Sequence, residues 1–597
     1  MVKPVNPLPR VLRALLAGGL VATALTVPAA GPASAADQSV TVDLATTTGT
    51  VTRAGAGFLY GLNQDGTQPP DNLLSPLQVT SARGGGARLP GHGWIGDGYR
   101  AGTGYRTRIN SALAQVRRLT TGQYNASYDL LVSDLWGADT EQPANTVYPC
   151  TNGDCTNWVS FIGQVVADVQ ASGLRVRYDI YNEPDGTGFF PPGVNTPQYF
   201  QMWDSAVREL RRLVPSAQIT GPGVSGWNPN YLSTFLDHTK AAGTLPTTLD
   251  WHFSGTPYQD VQTARSLLSQ RGITGIDLSM NEYLFPGDQH AGYQAWYLTQ
   301  LAKSGISRAS HAIWTDCCVG GTLDSTLVRD GSGALRPTGQ WWVYKSYADV
   351  SGQLVAVNNN GGSTDAVAAK DQTARRVAVL LGDKTGNTGT TRVTINGLTS
   401  SPWLAGAGGI QVTLQRIPDQ GPLDQPAVVS TQVVAAGTSS LQVPIPWTGA
   451  QDAYFITLTP ASTGAVTTLD ATATTPGANY FEYGANWGRT DGVADMYAGT
   501  ANWSYTPGST ARIRFTGTQL ILHAVRDQDQ GRFTIQLDNA PAVTIDDYAP
   551  ARNASGVVWT SPPVAAGQHT ATIVVAQDKN PASTGHNIAL DYIEVKP

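Results

Sequence analysis

Two glutamates carry the strongest chemical signal in the sequence. Glu183 closes the run Arg177-Tyr178-Asp179-Ile180-Tyr181-Asn182-Glu183-Pro184, and Glu282 closes Leu278-Ser279-Met280-Asn281-Glu282-Tyr283. Two carboxyl groups brought together can divide their labour. One stays protonated and gives its proton to a departing oxygen, while the other stays ionised and attacks carbon. Cleavage of a glycosidic bond needs this pair, with the acid on the leaving oxygen and the carboxylate on the anomeric carbon. The two residues are 99 positions apart in the chain, so the fold must bring them together.

The region from Gly57 to Tyr347 has the pattern to do so. Short β-like runs at Phe58-Leu62, Thr80-Gly84, Tyr128-Ser133, Val176-Tyr181, Ile219-Gly221, Leu249-Phe253, Ile276-Met280 and Ala312-Trp314 alternate with helical ones. The helical patterns include Trp158-Ala171, Tyr199-Leu213, Val261-Gln270 and Tyr293-Lys303, the last apolar at helical spacing. Eight β-then-α units in about 290 residues match a (β/α)8 barrel. A doubly wound open sheet would carry a glycine-rich nucleotide loop after an early strand, and Gly84-Gly85-Gly86 lacks that spacing. In the barrel, residues at the C-terminal strand ends line the open mouth. Strands four and seven face each other there, which brings Glu183 and Glu282 across from one another.

The motif Asn182-Glu183-Pro184 resembles the Asn-Glu-Pro acid/base motif of clan A glycoside hydrolases. Glu282 falls where their strand-seven nucleophile falls. The whole stretch from Gly57 to Tyr347, with its attached sandwich, is similar to glycoside hydrolase family 39 and its relatives. That group includes β-xylosidases, α-L-iduronidases and exo-acting enzymes of arabinan or galactan side chains. The resemblance implies a retaining mechanism with Glu183 as acid/base, Glu282 as nucleophile and Asn182 as donor to the sugar 2-hydroxyl. It implies further that His252 is an active-site histidine and that Arg83 holds the nucleophile carboxylate. The family places a Tyr two positions after that histidine, where this chain has Ser254. Tyr258 and Tyr283 are the candidates to hydrogen-bond the nucleophile in its place. Trp136 and Trp314 are candidate platforms for the sugar's C–H face, and core packing is the competing role for each. No organic cofactor and no metal are expected for the chemistry.

Four cysteines remain. Cys150 and Cys155 bracket a four-residue loop and can close it. Cys317 and Cys318 are adjacent, at the expected barrel mouth, and form a vicinal disulfide that presents a flat patch to a sugar, remain free, or staple a loop to the other pair. Four cysteines allow three connectivities, and sequence does not choose among them. Their spacing is not that of a zinc site.

Beyond Tyr347 the composition turns to Val, Thr, Gly and Ser in alternating runs, the pattern of a β-sandwich over 350–462. The alternating segment Ser39-Asp43, within 36–56, is expected to return to that sandwich, which leaves 57–349 for the barrel. A second all-β unit over 463–597 reads as a jelly roll. It resembles galactose-binding-like carbohydrate modules, with Trp487, Tyr497 and Trp503 as candidate stacking residues and a purely structural accessory role as the alternative.

Composition narrows the class. The chain of 597 residues is 41% hydrophobic and 14% charged with net charge -6, which excludes a disordered chain and gives nucleic acid no basic surface. Residues 1–35 have the layout of a secretory signal peptide, with Lys3, Arg10 and Arg13, the apolar run Ala14 to Val27 and Ala33-Ser34-Ala35 before the cleavage point. Its removal takes the charge from -6 to -9. The expectation is a secreted, monomeric glycosidase that acts on poly- or oligosaccharides of xyloside, arabinoside or galactoside type. It has no membrane association after cleavage. The alternatives are an arabinofuranosidase- or glucuronidase-type enzyme of a related clan A family and a non-catalytic carbohydrate-binding protein.

Overall fold

The computed structural model describes residues 38–85, 103–137, 146–312, 321–323, 325–461, 466–564 and 566–597. The expected leader, Trp314, Cys317 and Cys318 lie outside these residues.

The chain starts with a long strand, β1 (Gln38–Thr50), and then enters a closed barrel of eight parallel strands. These are β2 (Gly57–Leu59), β3 (Ser81–Gly84), β4 (Ser127–Leu131), β5 (Arg177–Asp179), β6 (Ile219–Val224), β7 (Thr248–His252), β8 (Asp277–Tyr283) and β9 (Arg308–His311). The connecting helices are α1 (Asp71–Leu74), α2 (Thr103–Thr120), α3 (Val132–Trp136), α4 (Thr156–Ser172), α5 (Pro197–Leu213), α6 (Pro229–Ala242), α7 (Pro257–Gln270) and α8 (Ala291–Ser304), with α9 (Gly339–Asp349) after the last strand. Local sequence sets the helix ends. Thr196 and Asn228 cap α5 and α6 by accepting from Tyr199 N and Tyr231 N, each with proline at the next position. Gly173, Gly243 and Gly305 end α4, α6 and α8 in the left-handed conformation.

The last barrel strand runs over Arg308–His311, upstream of the expected Ala312-Trp314, of which only Ala312 is among the described residues and lies outside the strand. Arg308 faces the barrel interior and forms an ion pair with Asp129 of β4, Nε to Oδ2 at 2.9 Å. This inward charge disguises the strand as a polar connection.

The second layer is a nine-stranded sheet built from residues 353–461 and β1. β1 is antiparallel to Gln353–Asn358 on one side and parallel to Thr390–Asn396 on the other. One face of this sheet packs on the barrel: Val367, Ala369, Ala378, Leu380 and Phe455 belong to the same core as Trp296, Leu298 and Leu301 of α8. The other face encloses its own core around Val42, Val379, Ile395, Leu414 and Ile456. The C-terminal unit is a sandwich of one six-stranded and one five-stranded sheet, with Phe481, Phe515, Leu522, Phe533 and Ile593 between them. A disulfide joins Cys150 to Cys155.

Candidate active site

Residues Asn182 and Glu183 sit just beyond β5 and Glu282 within β8, so both acids arrive at the same end of the barrel. An oxygen of Glu183, a ring nitrogen of His252 and an oxygen of Glu282 lie within 4.8 Å of one another, all three residues buried. His252 Nδ1 is 3.0 Å from Glu183 Oε1 and 3.6 Å from Glu282 Oε1. The histidine thus bridges the two carboxyl groups.

Glu183 reaches this position through an uncommon backbone, with φ at 40°. Its N–H donates to Gly223 O at 2.8 Å, and its carbonyl accepts from Gly186 N at 2.8 Å. Gly223 itself has φ +67°, and a Cβ there would come within 2.6 Å of Tyr181 O. A left-handed glutamate costs about 1–3 kcal/mol and persists where the surroundings overdetermine it. Two residues on, Asp185 accepts from Ser225 N at 2.9 Å and Ser225 Oγ at 2.7 Å, which anchors the loop to the end of β6.

Arg83 organises the opposite side. Its guanidinium donates from Nε to Asp179 Oδ2 (2.7 Å), from Nη1 to Glu282 Oε1 (2.7 Å) and from Nη2 to Asn182 Oδ1 (3.1 Å). Because Asn182 accepts through its oxygen, its NH2 group is left to donate, and its backbone N–H is held by Ser133 Oγ at 2.9 Å. Asn281 Nδ2 donates to Asp179 Oδ2 at 2.9 Å, while Asn281 N and Ser279 Oγ both donate to Asp250 Oδ1. Asp179, Asp250, Asn281 and Ser133 carry no motif and were not singled out from sequence. The available signal was an acid inside each buried strand run, Tyr178-Asp179 and Asp250-Trp251, where parallel strands are otherwise apolar.

Burial dominates the electrostatics. Burial raises the Glu282 carboxyl, and Glu183 adds to the effect, while His252 and Arg83 pull it back. It lowers the His252 imidazole to about 4, which makes the ring neutral near pH 7. Asp179 is raised, and Asp250 well above the carboxylate range, again chiefly by burial. Arg83 also loses from burial, but Asp179, Glu282 and Asp250 more than restore its charge. Glu282 Oε2 is buried with no hydrogen-bond partner among the described residues. The arrangement can therefore present one carboxylate oxygen, fixed through its twin, to an electrophilic carbon, with a second carboxyl within proton-transfer range of the group that leaves. The triad Glu183, His252 and Glu282 also has the span of a cation site, but Arg83 already supplies positive charge to Glu282 Oε1.

Several residues singled out from sequence take other places. Tyr283 is fully buried, and its hydroxyl donates to Gly55 O at 2.6 Å and meets Tyr344. Strand alternation explains this: if Glu282 faces the barrel axis, its neighbour faces the helices. Tyr258 lies in the first turn of α7 and is 39% exposed, and the groups that contact the Glu282 carboxylate are Arg83 and His252. Trp136 is 1% exposed and packs against Tyr148 and Trp158, as core and not as a sugar platform. Ser254 donates to Asp260 and so braces the start of α7.

In the C-terminal sandwich, Trp487 is partly buried and packs on Tyr483 and the edge of the module's core. Tyr497, 41% exposed, leans on Tyr592. Trp503 stacks with Tyr505, ring centroids 5.6 Å apart, beside a concavity of about 800 Å³ that Asp527, Arg552, His586 and Asn587 also line.

No protein-family model matches the chain. Over 389 residues it is 26% identical to a 3-O-β-L-arabinopyranosyl-α-L-arabinofuranosidase of Bifidobacterium pseudocatenulatum, a match over 58% of this chain and 38% of that protein. Over 393 residues it is 28% identical to a 3-O-α-D-galactosyl-α-L-arabinofuranosidase of Bifidobacterium longum subsp. longum, over 58% of this chain and 33% of that one. The chain thus spans about a third of the length of the curated relatives it matches. Among solved structures, N2152 from Neocallimastix frontalis superposes with TM-score 0.59 at 23% identity, over 71% of this chain and all of that one. The glycoside hydrolase family 39 enzyme from Xanthomonas axonopodis pv. citri superposes with TM-score 0.50 at 14% identity, over 73% of this chain and all of that one. With its strand-end glutamates, closed barrel and attached sandwich, the chain resembles glycoside hydrolase family 39 and its clan A relatives and shares their fold.

Proposed function

We propose that this protein is a secreted retaining glycoside hydrolase that cleaves α-L-arabinofuranosides carrying a further pyranose. The observation that carries the reading is the approach of Glu183 and Glu282 to within 4.8 Å through oxygen atoms. Retaining enzymes hold their two carboxyl groups about 5–5.5 Å apart, whereas inverting enzymes need about 6.5–9.5 Å to admit a water. The names of the two Bifidobacterium relatives support the arabinofuranoside as substrate class.

In the first step Glu282 Oε2 attacks the anomeric carbon as the bond to the leaving oxygen breaks, and Glu183 delivers its proton to that oxygen. Asn182 donates to the sugar hydroxyl next to the reacting carbon. In the second step Glu183, now ionised, takes a proton from water, whose oxygen displaces Glu282 from the anomeric carbon. The concavity beside Trp503 and Tyr505 supports a carbohydrate-holding role for the C-terminal sandwich. The leader-like residues 1–35 support secretion.

The test is chemical rescue. Glu282→Gly is expected to lose at least about 10⁴-fold in kcat on an aryl α-L-arabinofuranoside, in line with removal of a covalent nucleophile. Azide should restore turnover and yield a glycosyl azide of inverted configuration. An unimpaired variant, or rescue without inversion, overturns the reading.

A further inference from the structure

An aromatic pair, one ring buried and one exposed, stands at the rim of the barrel beside the two acids. Phe253 follows His252 directly, and Phe285 is three residues past Glu282. Their rings stack face to face, 4.0 Å between centroids and 17° between planes. Phe253 is 6% exposed, whereas Phe285 is 52% exposed. One face of Phe285 is therefore covered by its partner, and a large part of the ring is open to solvent.

The backbone holds this pair in fixed register with the reacting centre. Phe253 N donates to the carbonyl of Glu282 itself at 2.9 Å, and Phe253 O accepts from Trp227 N at 3.2 Å. The Phe285 loop is braced as well. Asp288 N donates to Phe285 O at 2.8 Å. Buried Gln289 reaches Leu284 O and Ala312 O through its amide. The stacked face of the phenyl ring serves the fold, but its open face gains nothing from it. That open face gains from an apolar ligand face, and the C–H face of a pyranose is such a surface.

We propose that Phe285, backed by Phe253, is the platform for a second sugar ring, the pyranose adjoining the unit whose anomeric carbon lies between Glu183 and Glu282. Phe285 is then a specificity-determining residue that touches no reacting atom. Its stacking is the same in the ground and transition states, so it enters through KM more than through kcat. This assignment rests on the arabinofuranoside reading above.

The experiment compares two aryl glycosides, one with a single α-L-arabinofuranosyl ring and one with that ring 3-O-substituted by a pyranose. Phe285→Ala is expected to lower kcat/KM about tenfold or more on the two-ring substrate, mainly through KM, and less than about threefold on the one-ring substrate. Phe285→Tyr, which keeps the ring, should retain the two-ring preference. Equal losses on both substrates, or no loss on the larger one, overturn the platform while the wild-type activity still upholds the glycosidase reading. A wild-type enzyme that cleaves neither substrate overturns both.

Discussion

Arg83 donates from Nη1 to Glu282 Oε1 at 2.7 Å, and the other oxygen of that carboxylate is buried without a partner among the described residues. The pairing fixes the carboxylate by one oxygen and leaves the second for bond formation. It also opposes the burial that raises the Glu282 carboxyl. Removing the cation must therefore raise that group further. In the proposed mechanism the ionised form attacks, so the acid limb of kcat/KM should move to higher pH in Arg83→Gln, and kcat/KM at neutral pH should fall at least about 100-fold. A pH–rate profile with an unmoved acid limb in a folded variant would show that Arg83 does not govern the charge of Glu282.

Glu183 is tested by its leaving-group dependence. An acid matters most where the departing oxygen is a poor leaving group, so Glu183→Ala should cleave glycosides of acidic phenols nearly as fast as wild type in the first step. It should lose about 10²–10⁴-fold on alkyl glycosides. A Brønsted plot over a phenol series measures this. The same slope for variant and wild type would remove Glu183 from the acid role.

Much of this site was legible in the sequence because its two acids sit at element ends, where position alone gives a side chain its direction. The barrel itself followed from eight alternating units. What was missed follows from one physical fact: the inside of this barrel is polar. Arg308, paired with Asp129, made the last strand look like a loop and shifted its expected position to Ala312-Trp314. Asp179 and Asp250, which hold Arg83 and Asn281, looked like interruptions of apolar runs. Tyr283 was a candidate for the site through closeness in sequence, although period-two alternation already turned it away from Glu282. Trp136 could not be sorted by face, since a buried indole and a sugar platform share one composition.

His311, at the end of β9, links stability to pH. It is fully buried among Phe58, Tyr283 and Tyr344, and burial lowers its imidazole to about 3. Unfolded, the ring binds a proton near pH 6.5, so between about pH 6.5 and 3 the unfolded chain holds a proton that the folded one lacks. This histidine's contribution therefore diminishes as pH falls through that window, by about 2 kcal/mol between pH 7 and 5. His311→Phe, which fits an aromatic cage, should be more resistant to urea relative to wild type at pH 5 than at pH 7 by an amount of that order. Urea titrations at the two pH values check it, and a pH-independent difference would show that the ring does not titrate with folding. The comparison of variant with wild type cancels the opposite contribution of the raised Asp250 carboxyl.

The joint between barrel and sandwich depends on an absent side chain. A Cβ on Gly382 would lie 2.1 Å from Gly292 O and 2.3 Å from Trp296 N, both backbone atoms of α8. Neither can yield as a flexible side chain would, so one methyl group must push the helix off the sheet. The contact lies within the core that α8 shares with Val367, Ala369 and Leu380, and α8 follows directly on the loop that carries Phe285. Gly382→Ala should therefore cost about 2–3 kcal/mol of stability. Through the moved loop, it should also weaken the two-ring substrate more than the one-ring substrate. Gly331→Ala, where a Cβ would meet nothing within 4 Å and the backbone is not left-handed, serves as the comparison. Thermal unfolding with paired kinetics measures both effects, and a Gly382→Ala protein as stable as wild type would show that the two layers are not packed this closely.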